Sequence, residues 1–290
     1  MIQKLQTLFR SEGAIGIIRA LGRRIVVPRL RCYRFCKPYF EGQYGLEIGG
    51  PSPVFSRHGL FPVYRSAGRI DNCNFSRQSV WVGAIQEGAT FRYDKEHAPG
   101  NQHIAEAVDL RLFPSESYDF VLSSHALEHT ANPLLALSEW MRVLKVHGML
   151  VLVLPHKDGM FDHRRPVTEL SHLMQDFELK KTEADLTHVP EILEFHDMAR
   201  DPEAGDFKSF KERSERNLEN RCLHHHVFDT QLAVKVVNHL GLQIYAVEAT
   251  RPYHIFVVAQ KIKQGERPQN KQFLGNDTVF RRHSLQTNRL

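Results

Sequence analysis

Residues 156–226 gather acids, bases and cations at close spacing. The stretch holds His163, His172, His188, His196 and the run His224-His225-His226, with Asp158, Asp162, Asp176, Asp185 and Asp197 among them. Imidazoles titrate near neutrality, and beside carboxylates they serve as bases, proton relays or metal ligands. Within the stretch, Phe161-Asp162-His163-Arg164-Arg165-Pro166 sets an acid, a base and two cations between apolar residues. His163, oriented by Asp162, reads as a base that takes a proton from an acceptor hydroxyl. Arg164 and Arg165 read as a clamp on a carboxylate or phosphate, and His224 and His226 as further substrate contacts. His125 and His129 are the other catalytic candidates, and a role as satisfied polar groups stays equally open for them. No metal is expected. No H-E-x-x-H spacing occurs, and adjacent histidines rarely all face one ion. A capping role at the start of the last helix is open for one of the three.

A second group of residues lies at predicted strand ends. Tyr44–Ile48 is a short apolar run that stops at Gly49-Gly50-Pro51, which reads as a strand followed by a tight loop. Gly68–Asp71 and Gln102–Ala105 are weaker strands, and Asp119–Ser123 is a continuous apolar one suited to a parallel sheet covered on both faces. Pro133–Lys145 places Leu134, Leu137, Met141 and Leu144 on one helical face after Asn132, a good N-cap. Met149–Leu154 is a fifth strand, so the unit is a right-handed parallel crossover. Val227–Leu240 reads as a helix stopped by Gly241. Leu242–Val247 and His254–Ala259 read as an antiparallel hairpin at the sheet edge. The predicted fold is therefore α/β, a Rossmann-like and mostly parallel sheet with an antiparallel edge hairpin and a His/Asp-rich insertion.

In such a sheet the ligand lies beyond the carboxyl ends of the strands. Glu47 with Gly49 and Gly50, then Asp71, then Glu106 or Asp109, then Ser124 or His125 are the polar groups expected there. Glu47 can accept from a ligand ammonium or order the loop. Asp71 can accept from ribose hydroxyls, and one of Glu106 and Asp109 from an adenine amino group. These groups suit a nucleoside with no phosphate, and the chain has neither a P-loop lysine motif nor a full G-x-G-x-x-G.

The run Leu46-Glu47-Ile48-Gly49-Gly50 resembles the first motif of class I S-adenosylmethionine-dependent methyltransferases. Tyr118–Leu127 with Glu128-His129 is similar to the fourth-strand motif of the small-molecule, type 11-like branch of that family. Asn132-Pro133-Leu134 through Arg142-Val143-Leu144-Lys145 and Gly148 is similar to the helix and turn that follow. The resemblance spans residues 41–155, with a weaker echo to 262. It implies S-adenosylmethionine as cofactor, lined by Glu47, Gly49, Asp71, Glu106 or Asp109, and Ser124 or His125. Pro51 and Pro53 stand where the family's loop has further glycines, and Lys145-Val146-His147-Gly148 replaces its usual Lys-Pro-Gly-Gly turn. By the same resemblance, an insertion of this kind suggests a small-molecule or glycan acceptor, with a sugar hydroxyl foremost.

The rest of the sequence bounds this reading. The domain is expected over 41–262, with the acceptor-side insertion at 156–226, a basic helical segment at 1–40 and a disordered tail at 263–290. The first 40 residues carry nine cations (Lys4, Arg10, Arg19, Arg23, Arg24, Arg29, Arg31, Arg34, Lys37) against Glu12. That bias permits peripheral contact with an anionic membrane, although a solvated basic face explains it as well. Apolar Ile15, Ile18 and Leu21 recur there at helical spacing. No run is long enough to span a bilayer, and no secretory signal is evident. The four scattered cysteines form no CxxC pair, which suits free thiols in a reducing cytoplasm. A nucleic-acid methyltransferase is disfavoured by the lack of a base-flipping Asn-Pro-Pro-Tyr motif. A non-catalytic scaffold on the same fold is the remaining alternative, favoured by the two loop prolines.

Overall fold

Apolar residues alternate along the central strands and point to both faces of one eight-stranded sheet. The computed structural model describes residues 29–275 and Thr278. The expected helix around Ile15, Ile18 and Leu21, most of the basic segment, and the tail from 279 on lie outside the described residues. The strands are β1 (Tyr44–Ile48), β2 (Arg69–Asn74), a small separate hairpin of β3 (Gln78–Ser79) and β4 (Gly83–Ala84), β5 (Gly88–Phe91), β6 (Gly100–Ile104), β7 (Tyr118–Ser124), β8 (Leu144–Pro155), β9 (Gln243–Thr250) and β10 (His254–Gln260). Their order in the main sheet is β5-β6-β2-β1-β7-β8-β10-β9. The five strands from β6 to β8 are parallel, and their order is the 3-2-1-4-5 of the Rossmann sheet. β10 runs antiparallel between β8 and β9, which completes the expected edge hairpin.

Both sheet faces are covered. Leu46, Ile48, Val121, Leu150, Leu152 and Val257 pack on one face against helix α1 (Pro133–Val143) and a late helix, Thr230–His239. Ile70, Phe120, Leu122, Val151, Val153 and Phe256 pack on the other. That is why β7 and β8 read as continuous apolar runs. Asn132 caps α1, its side chain accepting the Leu135 N–H, with Pro133 as the first residue. α1 stops at Val143, sooner than expected, because Leu144 already pairs with Tyr118 as β8 begins.

The insertion holds no strand among its residues. It folds as α2 (Leu170–Glu178), α3 (Val189–Phe195) and α4 (Phe207–Glu215) with shorter turns, around a small core of Val189, Ile192, Ala204, Phe210 and Leu223. The late helix, α5 (Thr230–His239), is capped by Asp229, whose side chain accepts the Leu232 N–H. None of the preceding histidines takes that role.

Two boundaries need correction. Residues 29–40 are part of the domain and not an appendage, since Leu30, Cys32, Tyr33, Cys36 and Phe40 are buried in the second core. Residues 263–275 are ordered. Asn270 is buried and ties the chain to α5 and β9, accepting the Ile244 N–H (2.9 Å) and donating to the Leu242 carbonyl (2.7 Å) and the Asn238 side chain (3.0 Å), and Phe273 joins the first core. The polar composition concealed this clasp because one asparagine and one phenylalanine make most of it.

Candidate functional site

The sheet reverses its strand order between β1 and β7, and the turns at that edge carry the expected ligand groups. Glu47 is fully buried beneath the loop that follows β1. Its carboxylate accepts the Ser52 N–H (3.1 Å) and the Tyr64 hydroxyl (2.6 Å), and burial raises its pKa to about 7. Glu47 thus orders the loop from inside. Gly50 has to be glycine, because a Cβ there would collide with this carboxyl group. Gly49 has φ +89°, and a Cβ on it would lie 3.3 Å from the Ala126 methyl, in the gap between the β1 and β7 turns. A side chain would narrow that gap, so glycine leaves the backbone free to meet a ligand closely.

β2 runs three residues beyond Asp71, which corrects its expected place. Asp71 pairs with Leu46 in mid-strand. Its carboxylate is taken up by the Tyr44 hydroxyl, Arg69 Nε (3.1 Å) and the Asn101 N–H (2.7 Å). Burial pushes its pKa up, but hydrogen bonds from His103, Tyr44 and Asn101 outweigh that and bring it to about 2. The strand-end position belongs to Asn74, a buried amide that donates to the Gly50 carbonyl (3.3 Å) and the Asn72 side chain (2.6 Å). Phe75 follows it. The Arg221 guanidinium lies 5.3 Å above the Phe75 ring and donates to Glu106 Oε1 at 2.6 Å.

A flat, cationic donor group therefore fills a slot between an aromatic ring and a carboxylate. An adenine, with its π-face and amino donor, asks for the same surroundings. By this test the edge fits a nucleoside. Of the two acids expected after β6, Glu106 faces the slot, whereas Asp109 is held by Arg111 (2.7 Å and 2.6 Å). Ser124 ends β7. Ser123, fully buried beside it, has an Oγ with no hydrogen-bond partner.

Beyond β7 the chain turns through His125 (φ 53°) into a run of buried polar groups. His125 Nε2 meets His254 Nδ1 at 2.8 Å. Burial lowers the pKa of His125 to about 3 and that of His254 to about 4. Glu128 is fully buried, and neither of its oxygens has a hydrogen-bond partner. It lies 3.5 Å from His125 and 4.0 Å from His129, and burial raises its pKa to about 7. His129 Nδ1 bonds the Leu223 carbonyl at 3.0 Å, and the half-exposed Trp81 ring in the β3–β4 hairpin packs 5.1 Å from the imidazole. His224, brought in by the insertion, stands 4.7 Å from the His129 ring and bonds Asp162 at 2.8 Å.

The remaining expected residues fall elsewhere. Asp162 orients His224 rather than His163. His163 bonds Asp197 at 2.9 Å, and Arg164 meets the same carboxylate at 3.3 Å. Arg165 is no substrate clamp. It is buried, pairs with Glu191 (2.8 Å) and donates to the His224 and His225 carbonyls (2.7 Å and 3.1 Å). His226 is buried against Asp176 (3.6 Å) and the Ala131 carbonyl (3.4 Å), with no surface left for a substrate. Sequence reasoning missed Asn74, Glu128 and Arg221. Glu128 lay inside a quoted motif, and its place between two candidate histidines was the available signal.

A family model described as a methyltransferase domain matches residues 83–152. Similar solved structures include a SAM-dependent methyltransferase from Aquifex aeolicus, 12% identical, covering 79% of this chain and 88% of that one at a TM-score of 0.40. Another is an S-adenosylmethionine-dependent methyltransferase from Mesorhizobium loti, at 14%, 79%, 95% and 0.45. A third, from Methanosarcina mazei, stands at 17%, 82%, 100% and 0.43. No curated protein matches. Residues 83–152 are thus similar to a methyltransferase domain, and they lie within a sheet whose strand order is that of the Rossmann fold.

Proposed function

We propose that the protein methylates a hydroxyl group on a small molecule, with a sugar or glycan as the acceptor. The observation that carries this reading is the cluster beyond β7. A buried carboxylate without hydrogen-bond partners, Glu128, lies between His125 and His129, beside the half-exposed ring of Trp81. A hydroxyl is a poor nucleophile until its proton is drawn off, and a carboxylate held near neutrality is matched to that task. An indole face suits the apolar C–H face of a sugar ring.

Gly49, Asn74, Phe75 and Glu106 would hold the cofactor, with Glu47 keeping the loop in shape beneath it. S-adenosylmethionine supplies an already activated methyl group on a sulfonium. The chain's own task is then to align the acceptor oxygen in the gap between the β1 and β7 turns, exclude water and receive a proton. Arg221 has to leave the Phe75–Glu106 slot when adenine enters it. A cytoplasmic location belongs to the same proposal. All four cysteines are free, and no helix among the described residues is long and apolar enough to cross a membrane.

Incubation with methyl-labelled cofactor and a panel of nucleotide-sugars, glycans and RNA tests the acceptor. Label on a sugar oxygen is expected, and label on RNA alone would overturn the acceptor class. Calorimetry with S-adenosylmethionine and its demethylated product tests the enzyme itself, and a folded sample giving no heat with either would overturn the whole reading.

A further inference from the structure

We infer that Glu128, His129 and His224 form a binding site for one first-row divalent transition cation, of which Zn²⁺ is the representative. Each of the three offers one ligand atom, and these atoms lie within 4.8 Å of one another. A point between them is then about 2.8 Å from each, against about 2.0–2.2 Å in a formed zinc site, so closure needs less than about 1 Å of movement.

The donor chemistry favours a metal independently of the distances. Glu128 is wholly buried with both oxygens unpartnered. Such a carboxylate is costly unless a proton or a cation compensates it. The Leu223 carbonyl can only accept, so His129 Nδ1 carries the hydrogen and its Nε2 keeps a lone pair. His224 Nδ1 faces the Asp162 carboxylate, which leaves its Nε2 bare as well. Carbonyl and carboxylate partners behind ligating imidazoles are the usual outer support of a metal site. Two imidazoles and one carboxylate select a transition cation over Mg²⁺ or Ca²⁺. Three protein ligands leave a coordination position open for an oxygen. That position is where the inference meets the reading above: with the ion bound, Glu128 is a ligand, and the cation rather than the free carboxylate would acidify an acceptor hydroxyl placed there.

His172, Asp176, His188 and His226 form a second group of possible ligands; Asp176 Oδ2 and His226 Nδ1 are buried there without hydrogen-bond partners, but two of its imidazoles are engaged with each other. His172 Nε2 and His188 Nε2 lie 3.2 Å apart, so one donates to the other and a lone pair is spent. His226 Nε2 is directed at the Ala131 carbonyl. This group serves as the internal control.

The full chain, stripped with a chelator, is titrated with Zn²⁺ by calorimetry and with Co²⁺ by visible absorption. One ion per chain is expected, with a visible spectrum typical of a four- or five-coordinate nitrogen–oxygen site. His129→Ala and His224→Ala should abolish it, whereas His172→Ala and His226→Ala should keep it. Asp162→Asn leaves every ligand in place and should weaken affinity about 10–100-fold. That variant decides the matter if a ligand substitution fails to fold. Absence of uptake by the wild type, unchanged affinity in Asp162→Asn, or loss of the ion from the second group's variants alone would overturn the inference. Cofactor binding by the stripped chain is measured in parallel. Metal without cofactor heat removes only the methyltransferase reading, and cofactor heat without metal removes only this one.

Discussion

The two halves of the site are built on different principles. The proposed cofactor edge is made by strand ends. Gly49, Asn74, Glu106 and Ser124 are placed by the sheet itself, each close to its own strand, so neighbours in sequence set the geometry. The proposed acceptor side is made by long-range polar pairs: His125 with His254, His129 with the Leu223 carbonyl, His224 with Asp162. Its core of Val189, Ile192, Ala204, Phe210 and Leu223 is small, and Arg165 binds it together by holding the His224 and His225 carbonyls. A sheet tolerates changes in its turns because its register survives them. A buried polar network is all or nothing, because each lost partner leaves another group unsatisfied.

Four changes would sharpen or break this contrast. Glu128→Gln should reduce turnover by about 100-fold or more while leaving cofactor affinity unchanged, read by methyl transfer and calorimetry side by side. A parallel loss of cofactor binding would mean that the two halves are not separable. Arg165→Met should destabilise the protein by about 3 kcal/mol, since two buried carbonyls lose their donor, as seen in thermal melts. A variant as stable as the wild type would show that the insertion does not depend on its polar strap. Asn74→Ala should weaken cofactor binding about tenfold, the equivalent of one hydrogen bond, while Asp71→Ala lowers the melting temperature and leaves binding intact. The reverse result would return the ligand role to the mid-strand carboxylate.

The smallest effect is on pH dependence, where Glu47 and His254 contribute with opposite signs. Glu47, at the cofactor edge, is raised from 4.5 to about 7. Its contribution to stability is complete below pH 4.5 and is lost as pH rises through 7. His254, on the acceptor side, is lowered from 6.5 to about 4. Its contribution is complete above pH 6.5 and is lost as pH falls through 4. Melts of the chelated protein should show both limbs, with Glu47→Gln flattening in part the one that falls towards higher pH, to which the buried Glu128, also raised to about 7, contributes. If the limb is unchanged in the variant, Glu47 does not contribute to it.

Much of this architecture could be read from residues 41–155 alone. Apolar runs, the Asn132 cap and the Gly49-Gly50 turn are local signals, and local signals determine which segments become strands, helices and turns. β2 was harder to read. Asn72, Cys73 and Asn74 are buried polar or small residues in a strand covered on both faces, so hydropathy ended the strand too early and nominated Asp71. Side-chain partners were beyond the reach of spacing altogether. Asp162 sits next to His163 in the chain yet bonds His224, 62 residues away, and the three adjacent histidines 224–226 point at three different sets of partners.

The sequence by itself determined the parallel sheet and its crossover, because these follow from the order and hydrophobic period of short segments. Only the tertiary structure decided which carboxylate stands unpartnered and which imidazoles keep a free lone pair. Those properties belong to pairs of groups brought together by packing, and no single segment encodes them.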